Sequence, residues 1–404
     1  MKFWLKPLAH VAKLIEHGLD SLTDHRFFSD RNDWQIGIRT YATYGDHRHV
    51  RFRGRVLRDH SMAEPTLGDA WYKNLLRTFH ALESDEVSGA RVELTFRDNR
   101  RSVTSDAEGY VDEMFELDGE PIAPGWHEVF GRIEAVPYGT GDERQFHSMC
   151  LVPDADAADY GIISDIDDTV LQSEVTRPLR MLRLLIFGNA ETRAAVEGVT
   201  ELYQSFVRGR SGESNNPVFY VSSSPWNLEP MLAAFMRRVG LPAGPMMLRD
   251  LGIGRDAESG LNHGHKEVKI RRILEQYPSM RFVLLGDAGQ EDAAIYSRIC
   301  DEFGDQVIVA YIRQVGSMPS DRVVHAVAHA QDRGTPVLLL PGTKSIVADA
   351  LSRSLIATET AVAAAEAVED SDESVLVRAK SAVDPDDVPV TGDEPLPASA
   401  TASS

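Results

Sequence analysis

The spacing of apolar positions changes along this chain, and the changes divide it. Across residues 35–153 apolar and polar positions alternate. Val50, Phe52 and Val56 are interleaved with arginines, and Val92, Leu94 and Phe96 repeat in ARVELTFRD. A period of two places alternate side chains on one face of a strand. Ser102 to Ser105, the turn-formers Asp106-Ala107-Glu108-Gly109 and then Tyr110 to Leu117 predict a hairpin. Trp126, Val129 and Ile133 mark a further strand pair. Several short strands with turn signals predict a small β-sandwich. No titratable constellation stands out within it, so a scaffolding or docking role is expected there.

From about Tyr160 the pattern becomes short apolar runs, GII, VFYV, FVLL and VIVAYI, separated by longer helical stretches. This alternation predicts an α/β domain over residues 154–351, a parallel sheet with helices on both faces. An insert at 170–217 separates the first two strands. Beyond residue 351 the periodicity fades, and residues 352–404, rich in Ala, Pro and Ser, read as a disordered acidic tail. At the other end, Leu8, Val11, Ile15, Leu19 and Leu22 recur at three- and four-residue steps after Pro7. Residues 1–34 therefore read as an amphipathic helical arm that packs on the protein's own domains, with an interfacial membrane helix as the alternative. Lys6, Pro7, His10 and Lys13 interrupt the apolar stretch, which argues against a signal peptide.

Composition narrows the partners. A length of 404 residues suits two domains with appendages. The net charge is −20, and beyond Leu355 eleven acidic residues face only Arg378 and Lys380. An acidic chain without a basic cluster argues against nucleic acid as partner. Cys150 and Cys300 form neither a metal spacing nor a disulfide framework, which suits a reducing cytoplasm. No segment approaches the roughly 18 to 20 apolar residues of a membrane span.

The chemistry centres on Ile162-Ile163-Ser164-Asp165-Ile166-Asp167-Asp168-Thr169. Two carboxylates, Asp165 and Asp167, follow a short apolar strand at its carboxyl end, where open α/β sheets place ligands. A phosphate ester resists attack by an anion, so a carboxylate nucleophile needs a divalent cation to neutralise charge. An acyl-phosphate is labile enough for water to finish the reaction. The second carboxylate can protonate the leaving alkoxide and later deprotonate that water. Further along, VFYV leads into Ser222-Ser223-Ser224, His265-Lys266 precedes a helix, and FVLL leads into GDAGQED with Asp287 and Asp292. Hard Mg2+ prefers oxygen ligands, and these acids would complete its shell. Ser222 competes with Ser223 and Ser224, and Lys266 with Lys269. Asp292 reads equally as a metal ligand, a partner of one, or the first-turn acid of a helix.

In that order and context the set resembles the haloacid dehalogenase superfamily of phosphohydrolases. The resemblance covers about residues 160–340 and implies a Rossmann-like fold. It makes Asp165 the nucleophile and Asp167 the acid/base, gives phosphoryl binding to Ser222 and Lys266, and selects Lys266 by its spacing to Pro278. Mg2+ would be held by Asp165, the main-chain carbonyl of Asp167 and Asp287, with Asp292 nearby. Aspartate at 167 argues against the dehalogenases and the ion-pumping ATPases. A narrower resemblance lies in SDIDDT, FYVSSSPWNL, HGHKEVKIRRILEQYP and FVLLGDAGQEDAAIY. These look like the phosphatidate phosphatases of the fungal actin-patch-protein type and their bacterial relatives, which join such a domain to a β-rich amino-terminal region. That family implies conversion of phosphatidate to diacylglycerol and phosphate with Mg2+. Ala288, where serine is expected, departs from it.

Within the insert, Arg177, Arg180 and Arg183 form a row on an otherwise apolar helix, RPLRMLRLLIF. Such a row suits a phosphate headgroup or an anionic bilayer, and equally a cap helix whose arginines pair with acids. Thr169 is expected to fix the nucleophile loop, and Ser223 to join substrate binding. The expected function is therefore phosphatidate hydrolysis by a cytoplasmic protein in peripheral contact with membrane. The alternatives are a phosphatase for a soluble or protein-linked phosphomonoester, and a non-catalytic phospholipid-binding scaffold.

Overall fold

A computed structural model describes residues 34–58, 86–141, 145–166, 190–249, 264–288, 291–314 and 319–369. The predicted amino-terminal arm up to residue 33, Asp167, Thr169, the arginine row and the tail beyond residue 369 lie outside the described residues.

The amino-terminal region is built from β1 (Gln35–Tyr41), β2 (Thr43–Tyr44), β3 (His49–Arg58), β4 (Arg91–Phe96), β5 (Asn99–Thr104), β6 (Tyr110–Glu116), β7 (Gly125–Ala135), β8 (Thr140–Gly141) and β9 (Phe146–Val152). They form two sheets, ordered β6-β3-β1-β8 and β2-β9-β7-β4-β5. The alternation places Val50, Phe52 and Val56 of one sheet and Val92, Leu94 and Val129 of the other in one core, all fully buried.

Two local expectations are corrected. β5 and β6 do not form a hairpin, because β5 pairs with β4 while β6 pairs with β3 in the other sheet. The turn at 106–109 joins the two sheets: the Tyr110 amide donates to the Asp106 carboxylate at 2.8 Å, and the Gly109 carbonyl accepts from Val56. The tight hairpin lies instead at Arg97-Asp98, where Arg97 adopts φ 51°, as two-residue hairpin turns demand. Residues 125–135 are one long strand rather than a pair. Val129 points into the core, while Trp126 is exposed on the other face.

The carboxyl-terminal region contains β10 (Gly161–Asp165), α1 (Ala190–Arg208), β11 (Val218–Pro225), α2 (Glu229–Val239), β12 (Met246–Arg249), α3 (Gly264–Gln276), β13 (Phe282–Asp287), α4 (Asp292–Phe303), β14 (Val307–Gln314), α5 (Asp321–Asp332), β15 (Val337–Pro341), α6 (Gly342–Ser352) and α7 (Thr358–Glu369). Its six strands are parallel in the order β12-β11-β10-β13-β14-β15. Strand parity sorts the core. Ile162, Val283, Val309 and Tyr311 face α1, α2, α6 and α7, while Ile163, Leu284, Ala310 and Ile312 face α3, α4 and α5. Helices therefore cover both faces. The chain starts at the centre, winds outward to β12, then returns past β10 to β13. That reversal opens a crevice between the carboxyl ends of β10 and β13.

The expected boundaries shift in two places. Residues 190–208 of the insert form a helix whose Leu202 and Phe206 lie in the main core. Residues 358–369, expected in the loose tail, form α7, with Ala361 and Ala364 buried against that same core. Alanine is the strongest helix former, and its small side chain permits close helix packing. The Tyr160 hydroxyl donates to the Leu355 carbonyl at 2.7 Å, tying this end to the strand that carries Asp165.

The two regions pack together. Tyr44 sets its ring edge-on to Phe219 at 5.6 Å, and the Tyr277 hydroxyl donates to the Gly45 carbonyl at 2.6 Å. No helix among the described residues is long and apolar enough to cross a membrane.

Candidate active site

Two fully buried strands, GIISD and FVLLGD, each deliver a carboxylate at their carboxyl ends. Their register aligns Ser164 with Leu285, so Asp165 and Asp287 emerge side by side at the crevice. Opposite them, the first turn of α3 carries Lys266 and α4 opens on Asp292. The Lys266 ammonium donates to Asp165 Oδ2 at 2.8 Å and to Asp292 Oδ1 at 3.2 Å. Asp292 Oδ2 in turn accepts the Asp287 amide at 3.3 Å. All four side chains belong to residues no more than 2 % exposed.

Gly286 makes this closeness possible. A Cβ there would lie 2.8 Å from the Tyr296 ring and 2.9 Å from Asp292 Oδ2. The Tyr296 hydroxyl donates to the Leu285 carbonyl at 2.8 Å and so fixes α4 against β13. Ser164 and Tyr203 share a hydroxyl hydrogen bond beside Asp165.

The electrostatics of this group are lopsided. Burial, and then the neighbouring Asp292, push the Asp165 carboxyl up to about 7, while Lys266 pulls the other way. Lys266 is shared by the buried carboxylates of Asp165 and Asp292, with Asp287 buried at the next strand end, and such hard oxygen donors suit a divalent cation such as Mg2+. Among the described residues no three acidic, histidine or cysteine side chains are grouped closely enough to hold a metal by themselves. The ligand set implied by the family also draws on the Asp167 carbonyl, outside the described residues. The donor chemistry fits the ion, and Asp165 and Asp287 are the described residues that could hold it.

Ser222 is fully buried near the end of β11, and its Oγ accepts the Ser224 amide at 2.9 Å. The pairing of β11 with β12 is irregular between Val221 and Pro225, so these serines sit where the strand leaves its ladder. Of the two candidate lysines, Lys266 reaches Asp165, while the Lys269 ammonium donates to the Leu248 carbonyl at 2.6 Å beside β12. His265 is buried in the same first turn of α3.

Sequence reasoning passed over Arg313. It is buried, lies level with Asp287 on the neighbouring strand, and points its Nη1 to Thr343 Oγ1 at 3.4 Å. The signal was present, since Arg313 closes the apolar run VIVAYIR as Asp165 and Asp287 close theirs.

Comparison with known proteins bears on this same segment. Residues 160–314 match the family described as the catalytic domain of phosphatidate phosphatase APP1. Phosphatidate phosphatase APP1 of Saccharomyces cerevisiae is 27% identical over 166 residues, covering 41% of this chain and 27% of that protein. An uncharacterized protein of Schizosaccharomyces pombe is 25% identical over 221 residues, covering 54% of this chain and 35% of that one. The chain thus spans about a third or less of the length of these curated relatives. Among solved structures, a carbohydrate acetylesterase from Xanthomonas citri aligns over 73% of each chain at 8% identity, with a TM-score of 0.24, too low to bear on fold or function. Residues 160–314, which hold Asp165, Ser222, Lys266, Asp287 and Asp292, are thus similar to the catalytic domain of the APP1-type phosphatidate phosphatases.

Proposed function

We propose that this protein is a Mg2+-dependent phosphatidate phosphatase acting through an aspartyl-phosphate on Asp165. The observation that carries the reading is the buried contact of Lys266 with Asp165 at 2.8 Å, at the carboxyl end of a central parallel strand. It falls within the segment matched to phosphatidate phosphatases. The strand order also supports a Rossmann-like domain of the haloacid dehalogenase type, and the paired amino-terminal sheets support a β-sandwich.

In this reading the phosphate monoester enters the crevice, with Lys266 and Ser222 on its non-bridging oxygens. Asp165 Oδ attacks phosphorus as the bond to the glycerol oxygen breaks, and Asp167 gives its proton to that oxygen, releasing diacylglycerol. Asp167 then takes a proton from water as the water oxygen attacks phosphorus. The bond to Asp165 breaks, inorganic phosphate leaves, and the carboxylate is restored. Mg2+, held by Asp165, the Asp167 carbonyl and Asp287, would supply charge neutralisation for phosphoryl oxygens approaching a carboxylate. Asp292 holds Lys266 and the Asp287 amide, which keeps both in place. Thr169 and Ser223 are assigned to the loops around the phosphate, and Arg177, Arg180 and Arg183 to the headgroup at an anionic membrane surface on the cytoplasmic side.

The test is phosphate release from phosphatidate in detergent micelles, with and without Mg2+, by wild type and Asp167→Asn. Mg2+-dependent release that is lost in the variant is expected. Turnover of an aryl phosphate without turnover of phosphatidate would keep the chemistry and discard the lipid. Failure of phosphatidate-containing vesicles to retain the protein at low salt would discard the membrane contact.

A further inference from the structure

Trp226 stands four residues after Ser222 in FYVSSSPWNL, and the chemistry above does not use it. It is 4 % exposed, and two of its ring contacts come from the other region of the molecule. The Tyr41 ring lies 4.5 Å from the indole, centroid to centroid, and the Arg53 guanidinium carbon lies 4.6 Å above it. Tyr41 and Arg53 are directly opposed across the β1–β3 ladder, so both project from one face of a paired sheet. Arg53 also lies 5.1 Å over Tyr110 from β6. The indole is therefore held by two strands of the amino-terminal sheet, and a third braces Arg53.

The segment it belongs to is irregular. The β11–β12 register is lost between Val221 and Pro225, where the serines lie. After Pro225, Trp226–Leu228 forms a single 3-10 turn leading into α2, whose first turn has no side-chain cap on its amides. Proline restricts the backbone between Ser224 and Trp226, so displacement of the indole passes to the serines with little slack. Catalytic and binding groups lose effect when misplaced by about 1 Å.

We propose that Arg53 and Tyr41 are positioning residues for the phosphate-binding loop, holding Ser222–Ser224 in place through Trp226. The amino-terminal sheets then form part of the phosphatase machinery rather than an appended docking module. This rests on the phosphatase reading of the crevice.

The experiment uses the full chain with Mg2+ and para-nitrophenyl phosphate, with inorganic phosphate as competitive inhibitor. Arg53→Met removes the stacked cation. Arg58→Met removes a comparable one, since Arg58 lies 4.7 Å over Trp34 inside the amino-terminal region and away from the loop. Arg53→Met is expected to raise both KM and the phosphate inhibition constant about fivefold, with kcat within about twofold, in line with the strength of a buried cation–π contact. Arg53→Lys, which keeps the charge but loses the planar stack, is expected to fall between, and carries the test if Arg53→Met does not fold. Arg58→Met should lower the melting temperature without moving either constant. An active wild type with unchanged constants in both Arg53 variants overturns the proposal alone, as does an equal rise in Arg58→Met. A wild type that releases phosphate from neither the aryl ester nor phosphatidate overturns the phosphatase reading and this proposal with it.

Discussion

The two regions bury charge in opposite ways. In the amino-terminal sheets, buried Arg55 reaches Glu86 at 2.9 Å and Glu108 at 3.7 Å, and Arg51 forms a two-point bond to Asp112 at 2.7 and 2.6 Å. Both of these cations meet at least one acid. In the crevice, Lys266 meets both Asp165 and Asp292, with Asp287 buried at the next strand end, and burial works against the Asp165 charge. A balanced pair holds strands together, whereas a buried surplus of one sign is tolerated where something of the opposite sign is to be bound.

The strongest way to break this contrast is to neutralise Asp165, the proposed nucleophile. Asp165→Asn should lower kcat by about 10^4-fold or more, as loss of a nucleophile does elsewhere. It should leave the melting temperature unchanged or raised at pH 8, because it removes a charge that burial disfavours. Retained turnover would end the mechanism. A melting temperature lowered as much as by a core truncation would show the carboxylate to be structural.

Lys266→Met tests the same surplus from the other side. With the ammonium gone, Asp165 and Asp292 lose their shared donor, and breaking a buried pair costs about 3–5 kcal/mol. The expected result is a large fall in melting temperature that Mg2+ restores more fully than it raises wild type. A variant as stable as wild type without Mg2+ would mean that the crevice carries no excess charge.

A smaller effect is expected between the regions. Burial pushes the Glu229 carboxyl at the start of α2 up to about 7, against the pull of Arg39 and Arg237. Its folded pKa lies above its unfolded one, so the folded state binds the extra proton between about pH 4.5 and 7, and stability falls as pH rises across that window. Glu229→Gln should flatten this slope, with the gain in melting temperature over wild type larger at pH 8 than at pH 5. Equal gains at both would remove Glu229 from the account.

Much of the crevice was legible because local patterns carry it. An apolar run that stops at an acid marks a strand end at a ligand crevice, and GIISD and FVLLGD both read that way. What escaped the sequence depends on partners distant in the chain. Asp106-Ala107-Glu108-Gly109 has the chemistry of a hairpin turn, yet β4 and β3 capture the strands on either side. The alanines of α7 resemble low complexity until Leu202 and Phe206 of α1 give them a surface to meet. Trp226 sits in a recognisable motif, but nothing near it announces Tyr41 or Arg53. Lys266 and Lys269 were separable only by family spacing, and the difference is physical, since one turn of α3 faces Asp165 and the next faces the Leu248 carbonyl.

The central place of β10 also sets an order of assembly. The strand bearing Asp165 is made before either of its neighbours in the sheet, and Lys266, Asp287 and Asp292 follow later still. On a growing chain the amino-terminal sheets can close first and wait, with Tyr41 and Arg53 already set on their face. Trp226 then finds its seat before the acids of β13 and α4 emerge. Synthesis from the amino terminus would thus deliver the mould ahead of the part it shapes.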